Sequence, residues 1–157
     1  MNIILLICTL FAGLAPPQPV IAPAAVVSVS TPYSPPLMGA LKVTKPFNKP
    51  EKNWLPGHRG VDLAASTGTA VYAPASGAVH YSGIINGVPT LSINHPDGIK
   101  TTYQALSTHL TRGDIVVRGM FIGILAAPEL NWGAIYAGEY IDPMSLLKPP
   151  KIRLKPV

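Results

Sequence analysis

Hydrophobic and polar residues alternate with a period of two along most of the chain from residue 69 to residue 135. The alternating segments are short, rich in β-branched and aromatic residues, and separated by Gly, Pro or Asn, which is typical of β-strands. The predicted strands cover residues 69–73, 77–81, 90–94, 100–103, 114–117, 121–125 and 131–135. Beyond the N-terminal region, no window sustains a helical stripe across three turns. The pattern therefore predicts an all-β fold with antiparallel sheets.

A turn signal joins two of these strands. His95, Pro96, Asp97 and Gly98 follow the segment 90–94 and precede the segment 100–103. Proline presets one turn dihedral, and glycine accepts a positive φ. The two segments are therefore predicted to form a β-hairpin.

The N-terminal region has a different pattern, because an uninterrupted apolar run occupies residues 3–15. The run suits the core of a signal peptide and is shorter than the roughly 18 residues that span a bilayer. Residues 1–24 are therefore predicted to be a signal peptide cleaved before Ala25, or an uncleaved anchor, since no Lys or Arg precedes the run. Cys8 is interpreted as an apolar filler, with lipid attachment as the alternative. The predicted location is exported: the cell wall, the extracellular space or the outer face of the cytoplasmic membrane.

Proline marks the domain organisation. Nine of the eighteen prolines precede residue 51, and proline lacks the N–H that a β-ladder requires. Residues 25–40 are predicted to be a proline-rich linker, and residues 148–157 a basic, proline-rich tail. Residues 41–147 then form one folded domain of ordinary size.

The net charge of +5 comes from the first residues of this domain and from the tail that follows it. Residues 42–52 carry four Lys and one Glu, residues 148–155 carry three Lys and one Arg, and the stretch between them carries four basic and six acidic residues. The basic flanks either bind an anionic wall polymer or a membrane surface, or remain solvated. Nucleic-acid binding is not expected, because no aromatic stacking platform accompanies the positive charge.

The most informative segment for chemistry is residues 57–65, in which His58 and Asp62 are four positions apart. Imidazole and carboxylate are both common zinc ligands. In a straight strand these residues would lie about 13 Å apart, too far to share one ion. The chain must therefore bend, and Gly60 permits a bend. A His and an Asp that are hydrogen-bonded at a turn are the alternative interpretation.

A longer series of motifs places this segment in a context. In chain order the series comprises residues 58–62 (His-Arg-Gly-Val-Asp), 68–77 (Gly-Thr-Ala-Val-Tyr-Ala-Pro-Ala-Ser-Gly), 95–103 (the hairpin, ending in Tyr), 112–123, 132–133 and 138–147. This order resembles the lysostaphin-like (LytM-type) zinc endopeptidases, over about residues 43–147. The resemblance implies the barrel-sandwich hybrid fold of that family and an association with peptidoglycan.

The resemblance also implies a metal position formed by His58, Asp62 and Asn131. The family has a histidine as its third zinc ligand where this chain has Asn131, and two further family histidines correspond to Glu129 and Ala105. No catalytic histidine is thus expected. An Asn side chain offers zinc only a carbonyl oxygen, a ligand type better suited to harder ions. Zinc is expected to bind weakly, and hydrolysis to be negligible.

Two residues offer ways to restore the site. Glu129 could act as a ligand or general base, because residues 129 and 131 share a strand face, and His109 could supply a nitrogen ligand from a nearby loop. His80 is interpreted as a strand-surface residue, and His95 as part of the hairpin entrance. Arg59 is expected either to pair with a carboxylate of the site or to be solvated.

These expectations favour one function and leave two alternatives. The favoured function is an exported, non-catalytic module that binds peptidoglycan peptide stems or a partner cell-wall hydrolase through the groove an enzyme would use. Because His58 and Asp62 persist, an active zinc endopeptidase that cleaves peptidoglycan crosslinks is the first alternative. A structural envelope protein without a ligand is the second.

Overall fold

The computed structural model describes residues 33–52 and 54–149 of the 157-residue chain. In these ranges the regular elements are eleven β-strands and a 3₁₀ helix at Pro143–Leu147. The strands are β1 Val43–Lys45, β2 Gly60–Ala64, β3 Ala70–Tyr72, β4 Gly77–Ile85, β5 Val88–Asn94, β6 Ile99–Gln104, β7 Leu106–Ser107, β8 Ile115–Val116, β9 Phe121–Leu125, β10 Glu129–Tyr136 and β11 Glu139–Ile141. The predictions for residues 1–32 and for the tail beyond residue 149 lie outside the described residues.

The strands form two antiparallel sheets. The larger sheet has the order β1-β2-β10-β6-β5-β4-β8, and β11 pairs with the C-terminal half of β10. The smaller sheet has the order β3-β9-β7. Each of these strand pairs is antiparallel. The predicted all-β, antiparallel fold is therefore confirmed.

The alternation in the sequence places one face of each central strand in a shared core. In β10 the side chains of Leu130, Trp132 and Ala134 are buried, whereas on the opposite face Glu129 is exposed and Asn131 and Ile135 are half-buried. Burying a large apolar side chain stabilises a fold by about 1.5–3 kcal/mol. The core that joins the two sheets also includes Val61, Leu63, Val71, Val79, Leu91, Ile93, Tyr103, Leu106, Val116, Ile122 and Leu125.

Two hairpins close with a two-residue turn in which both residues have positive φ. Asn86 and Gly87 connect β4 to β5 with φ of 50° and 79°, and Ala137 and Gly138 connect β10 to β11 with φ of 49° and 81°. These angles correspond to a type I′ turn, whose twist matches that of the flanking strands. Because the strands continue to the Asn86-Gly87 turn, β4 extends beyond the predicted end at residue 81.

The predicted hairpin between residues 94 and 100 is confirmed, since it joins β5 to β6. The His95 N–H donates to the Ile99 carbonyl at 2.9 Å, and the Gly98 N–H donates to the His95 carbonyl at 3.1 Å. The Asp97 carboxylate accepts from the Ile99 N–H at 3.0 Å. Gly98 has a φ of 84°, as the turn requires.

Residues 33–39, here called the N-terminal segment, pack against the domain, although the sequence predicted a linker through residue 40. Tyr33 is 2% exposed and Leu37 is 6% exposed. The N–H of residue 34 donates to the carbonyl of residue 74, and the carbonyl of residue 36 accepts from the N–H of residue 72. Prolines at 35 and 36 do not prevent this contact, because the segment uses the Pro36 carbonyl and the Ser34 N–H. The folded unit therefore begins earlier than predicted.

Within residues 33–52 and 54–149, no helix has the length and apolar character that a bilayer span requires.

Candidate functional site

Neighbouring strands bring the residues of the predicted metal position together. Strand β2 carries Asp62, strand β10 carries Asn131, and the two residues are partners in the antiparallel register. His58 precedes β2, where its backbone N–H and C=O both bond to the backbone of Asn48 at 2.9 Å. The chain turns between residues 58 and 62, so that His58 Nε2 lies 3.2 Å from Asp62 Oδ1.

Gly60 allows β2 and β10 to approach closely beside these residues. A Cβ on Gly60 would lie 2.6 Å from the Trp132 carbonyl oxygen and 3.2 Å from Asn131 Oδ1. The first of these distances is too short for any real Cβ contact. The sequence predicted a bend at Gly60; the structure shows that the residue also removes a side chain from the strand contact.

The three side chains form a compact cluster. Asn131 Nδ2 donates to Asp62 Oδ1 at 2.7 Å and lies 3.2 Å from His58 Nε2. The side chains of His58 and Asp62 are 13% and 18% exposed, and Asn131 is half-buried. A ligand in solvent can therefore still reach the cluster.

A hydrogen bond on the other side of the imidazole ring sets the tautomer of His58. Its Nδ1 lies 2.9 Å from the Pro46 carbonyl oxygen. Because a carbonyl only accepts, Nδ1 carries a hydrogen, and in the Nδ1–H tautomer Nε2 presents a lone pair toward Asn131. Sequence reasoning missed Pro46 and Asn48, since both act through backbone atoms and no residue type signals such a role.

The residues considered as replacements do not complete a metal site. Glu129 is exposed, two positions before Asn131 on the same face of β10. Ala105 lies between β6 and β7 with a φ of 63°, and its methyl group has no acid–base chemistry. His109 is exposed in the loop between β7 and β8. Across residues 33–52 and 54–149, no three His, Cys, Asp or Glu residues are grouped closely enough to hold a metal ion.

His95 belongs to a separate, buried polar network. Its Nδ1 donates to the Ser76 carbonyl at 2.9 Å, and its Nε2 bonds to the Thr101 hydroxyl at 2.8 Å, which in turn lies 2.9 Å from the Tyr103 hydroxyl. Burial lowers the pKa of His95, and the bond to Ser76 partly offsets this effect. Burial also raises the pKa of the Tyr103 hydroxyl, against the effect of the Thr101 hydrogen bond. The network stabilises the β5–β6 hairpin and is apart from the His58 cluster.

Arg59 follows His58 and is held by two further contacts. Its guanidinium lies 5.6 Å from the centroid of the Tyr140 ring, and its Nη2 donates to the Leu55 carbonyl at 3.2 Å. A cation–π contact of this kind contributes about 0.5–1 kcal/mol at an exposed site. From the sequence, Arg59 was expected to contact only a carboxylate or solvent. The contact with the Tyr140 ring was missed because Tyr140 is distant in the chain.

The donor set of the cluster does not fit zinc. Zinc in proteins is held by at least three imidazole, thiolate or carboxylate groups, and His58 and Asp62 supply two. The third side chain, Asn131, directs its N–H group toward these two acceptors, and an N–H group repels a cation. Among the described residues, the cluster thus supplies two of the three ligands that a protein zinc site uses.

Comparisons with known proteins add to this description. The sequence model of peptidase family M23 matches residues 56–143, more than half of the chain. An uncharacterized protein of Mycobacterium tuberculosis is 39% identical over 134 residues, which cover 78% of this chain and 54% of that protein. The chain thus spans about half the length of this mycobacterial relative.

Two solved structures have a similar fold. The catalytic domain of the antimicrobial peptidase lysostaphin from Staphylococcus simulans has a TM-score of 0.58 and 26% identity, covering 68% of this chain and 92% of that domain. A chain of the SpoIIQ–SpoIIIAH pore-forming complex has a TM-score of 0.63 and 20% identity, covering 76% and 92% respectively. At this identity the second likeness concerns the fold alone.

Proposed function

The chain belongs to peptidase family M23, and from this premise we propose that it is a catalytically inactive member that binds the peptide stems of peptidoglycan. The observation that carries the proposal is the position of Asn131, whose amide N–H group faces His58 and Asp62 where the family has an imidazole. Without a third strong donor, no metal-activated nucleophile forms near neutral pH. The groove then remains available for binding without cleavage.

The order of the cluster and its access to solvent support binding. The register between β2 and β10 and the double hydrogen bond between Asn48 and His58 keep the cluster ordered. Peptide stems present amide N–H donors that the exposed Glu129 carboxylate, beside the cluster on β10, can accept. An exported location, which the apolar run at residues 3–15 supports, would place the domain beside this ligand, and M23 domains are typically extracellular or envelope-associated.

A partner cell-wall hydrolase is the other occupant considered for the same groove. Its support is that the fold recurs in the SpoIIQ–SpoIIIAH pore-forming complex, and so is compatible with protein assembly. In this case the domain would regulate the hydrolase. Retention on purified cell walls in the absence of any other protein distinguishes the two occupants.

The proposal is tested with the purified full-length chain. We expect zinc far below one ion per chain by elemental mass spectrometry, no chelator-sensitive release of fragments from purified peptidoglycan, and retention on sedimented walls at moderate salt. Near-stoichiometric zinc with chelator-sensitive cleavage would contradict inactivity. Loss of retention at moderate salt would instead contradict direct binding to the wall.

An active zinc endopeptidase is the second candidate, because His58 Nε2 and Asp62 Oδ1 are only 3.2 Å apart. On the inactive interpretation, Asn131→His should raise the affinity for zinc by at least about 10- to 100-fold, a factor that even an outer partner of a ligand contributes. Competition against a fluorescent chelator measures this change. Ile84→His, at an exposed position of β4, is the matched control and should have no effect. Equal affinities in both variants would mean that residue 131 is not the third ligand position.

A further inference from the structure

His58 and Asp62 are spaced like two ligands of one small ion. Donors held about 2.0–2.1 Å from a tetrahedral zinc ion lie roughly 3.3 Å apart, and here Nε2 and Oδ1 are 3.2 Å apart. Two acceptor atoms at this distance repel each other unless an electropositive group lies beside both. The folded domain therefore needs such a group at this point.

The Asn131 amide meets this need. Its Nδ2 lies 2.7 Å from Asp62 Oδ1 and 3.2 Å from His58 Nε2. A carboxylate only accepts, and in the Nδ1–H tautomer, whose hydrogen is directed to the Pro46 carbonyl, Nε2 accepts as well. An amide NH₂ group has two hydrogens for these two acceptors. Asn131 Oδ1 points the other way, toward Gly60.

We propose that the Asn131 amide takes the place of a metal ion as the link that joins β10, β2 and the segment carrying His58. This inference rests on the proposed function, because it states how an inactive member keeps the shape of its groove without metal. The link spans 73 positions to His58 and 69 positions to Asp62. Backbone pairing of β2 with β10 already aligns Asp62 with Asn131, and the amide adds the side-chain link from β10 to His58.

Removal of the amide should therefore expose the repulsion between the two acceptors. In Asn131→Ala, His58 Nε2 and Asp62 Oδ1 lose their shared donor while both side chains stay largely buried. A buried acceptor without its donor is destabilising. In Asn131→His, a second imidazole joins His58 and Asp62 as the third ligand, so that added zinc should become the link.

The experiment compares thermal unfolding of the full-length wild type, Asn131→Ala and Asn131→His, each with chelator and with added zinc. We expect the wild-type Tm to be the same under both conditions and the Asn131→Ala Tm to be lower by about 5 °C or more. The Tm of Asn131→His should be low with chelator and should rise with zinc. The matched control is Asn94→Ala, which removes an exposed amide 3.4 Å from His80 and should leave Tm unchanged.

Two results would overturn the inference. One is a wild-type Tm that falls on chelation, because a metal would then be the link. The other is an Asn131→Ala variant as stable as Asn94→Ala. Failure of wall retention would contradict the proposed function while leaving these Tm values as expected, so the two proposals fail separately.

Discussion

Single residues decide how closely the strands of the site approach one another. Gly60 on β2 faces the Trp132 carbonyl of β10, and a Cβ on Gly133 of β10 would lie 2.5 Å from the Thr102 hydroxyl of β6. Strand β10 thus has a glycine contact on each side at the level of the site. The polar cluster depends on this spacing, because hydrogen bonds weaken steeply when their atoms separate.

Replacing Gly60 by Ala should lower the free energy of unfolding by about 1–3 kcal/mol, since the new methyl group overlaps the backbone of β10. Urea unfolding measures the change. Gly68→Asn is the control, because a Cβ there meets nothing within 4 Å and asparagine tolerates a positive φ. Equal losses in both variants would show that the strand contact is not the cause.

The buried His95 should make the domain less stable as the solution becomes acidic. Its folded pKa is lowered, chiefly by burial, so below the ordinary value of about 6.5 the unfolded chain binds a proton that the folded domain does not. Stability is therefore retained above about pH 7 and falls as the pH decreases from there.

Scans of Tm between about pH 5 and pH 8 measure this dependence. His95→Gln should flatten it, whereas His80→Gln removes an exposed histidine of β4 and should preserve it. The same slope in both variants would assign the acid sensitivity to other groups.

Two hairpin turns determine how the strands they connect are aligned. The turns at Asn86-Gly87 and Ala137-Gly138 have nearly the same φ angles, but at the position before the glycine only the Asn86 turn has a residue suited to a positive φ. Asparagine reaches this region with the help of its short polar side chain, whereas alanine is strained there. The β10–β11 hairpin therefore carries a local strain that the β4–β5 hairpin lacks.

Ala137→Asn should accordingly raise the free energy of unfolding by about 0.5–1 kcal/mol, and Asn86→Ala should lower it by a similar amount. Both changes are measured by chemical denaturation. The two variants act as controls for each other, because they exchange the same residue types at equivalent turn positions. Changes of the same sign would contradict the assignment of strain to the turn.

The folded domain includes more residues than the motifs cover, because the N-terminal segment packs against it. The Tyr33 hydroxyl donates to both carboxylate oxygens of Asp97, at 3.1 and 2.9 Å, and its ring meets the His95 ring edge-on with centroids 5.3 Å apart. Burial raises the pKa of Tyr33, so this hydroxyl stays protonated and continues to donate. The segment thus ties the start of the domain to the β5–β6 hairpin.

Tyr33→Phe should lower the free energy of unfolding by about 1–2 kcal/mol, because a hydrogen bond to a carboxylate is lost. Tyr136→Phe, at an exposed tyrosine, should change it by less than about 0.5 kcal/mol. Urea unfolding of both full-length variants gives the comparison. If the two variants are equally stable, the segment rests on the domain without contributing to its stability.

The sequence by itself determined the all-β class, the β5–β6 hairpin and the membership of family M23. Each of these depends on local information: a period of two, a turn composed of Pro and Gly, and an ordered series of motifs. It also identified His58, Asp62 and Asn131 as one position, through their order in those motifs.

Only the tertiary structure decided that residues 33–39 dock, that the Pro46 carbonyl sets the tautomer of His58, and that the Asn131 amide lies between two acceptors. These features arise from contacts between residues far apart in the chain. Several of them use backbone atoms, which every residue shares, so residue types along the sequence do not reveal them.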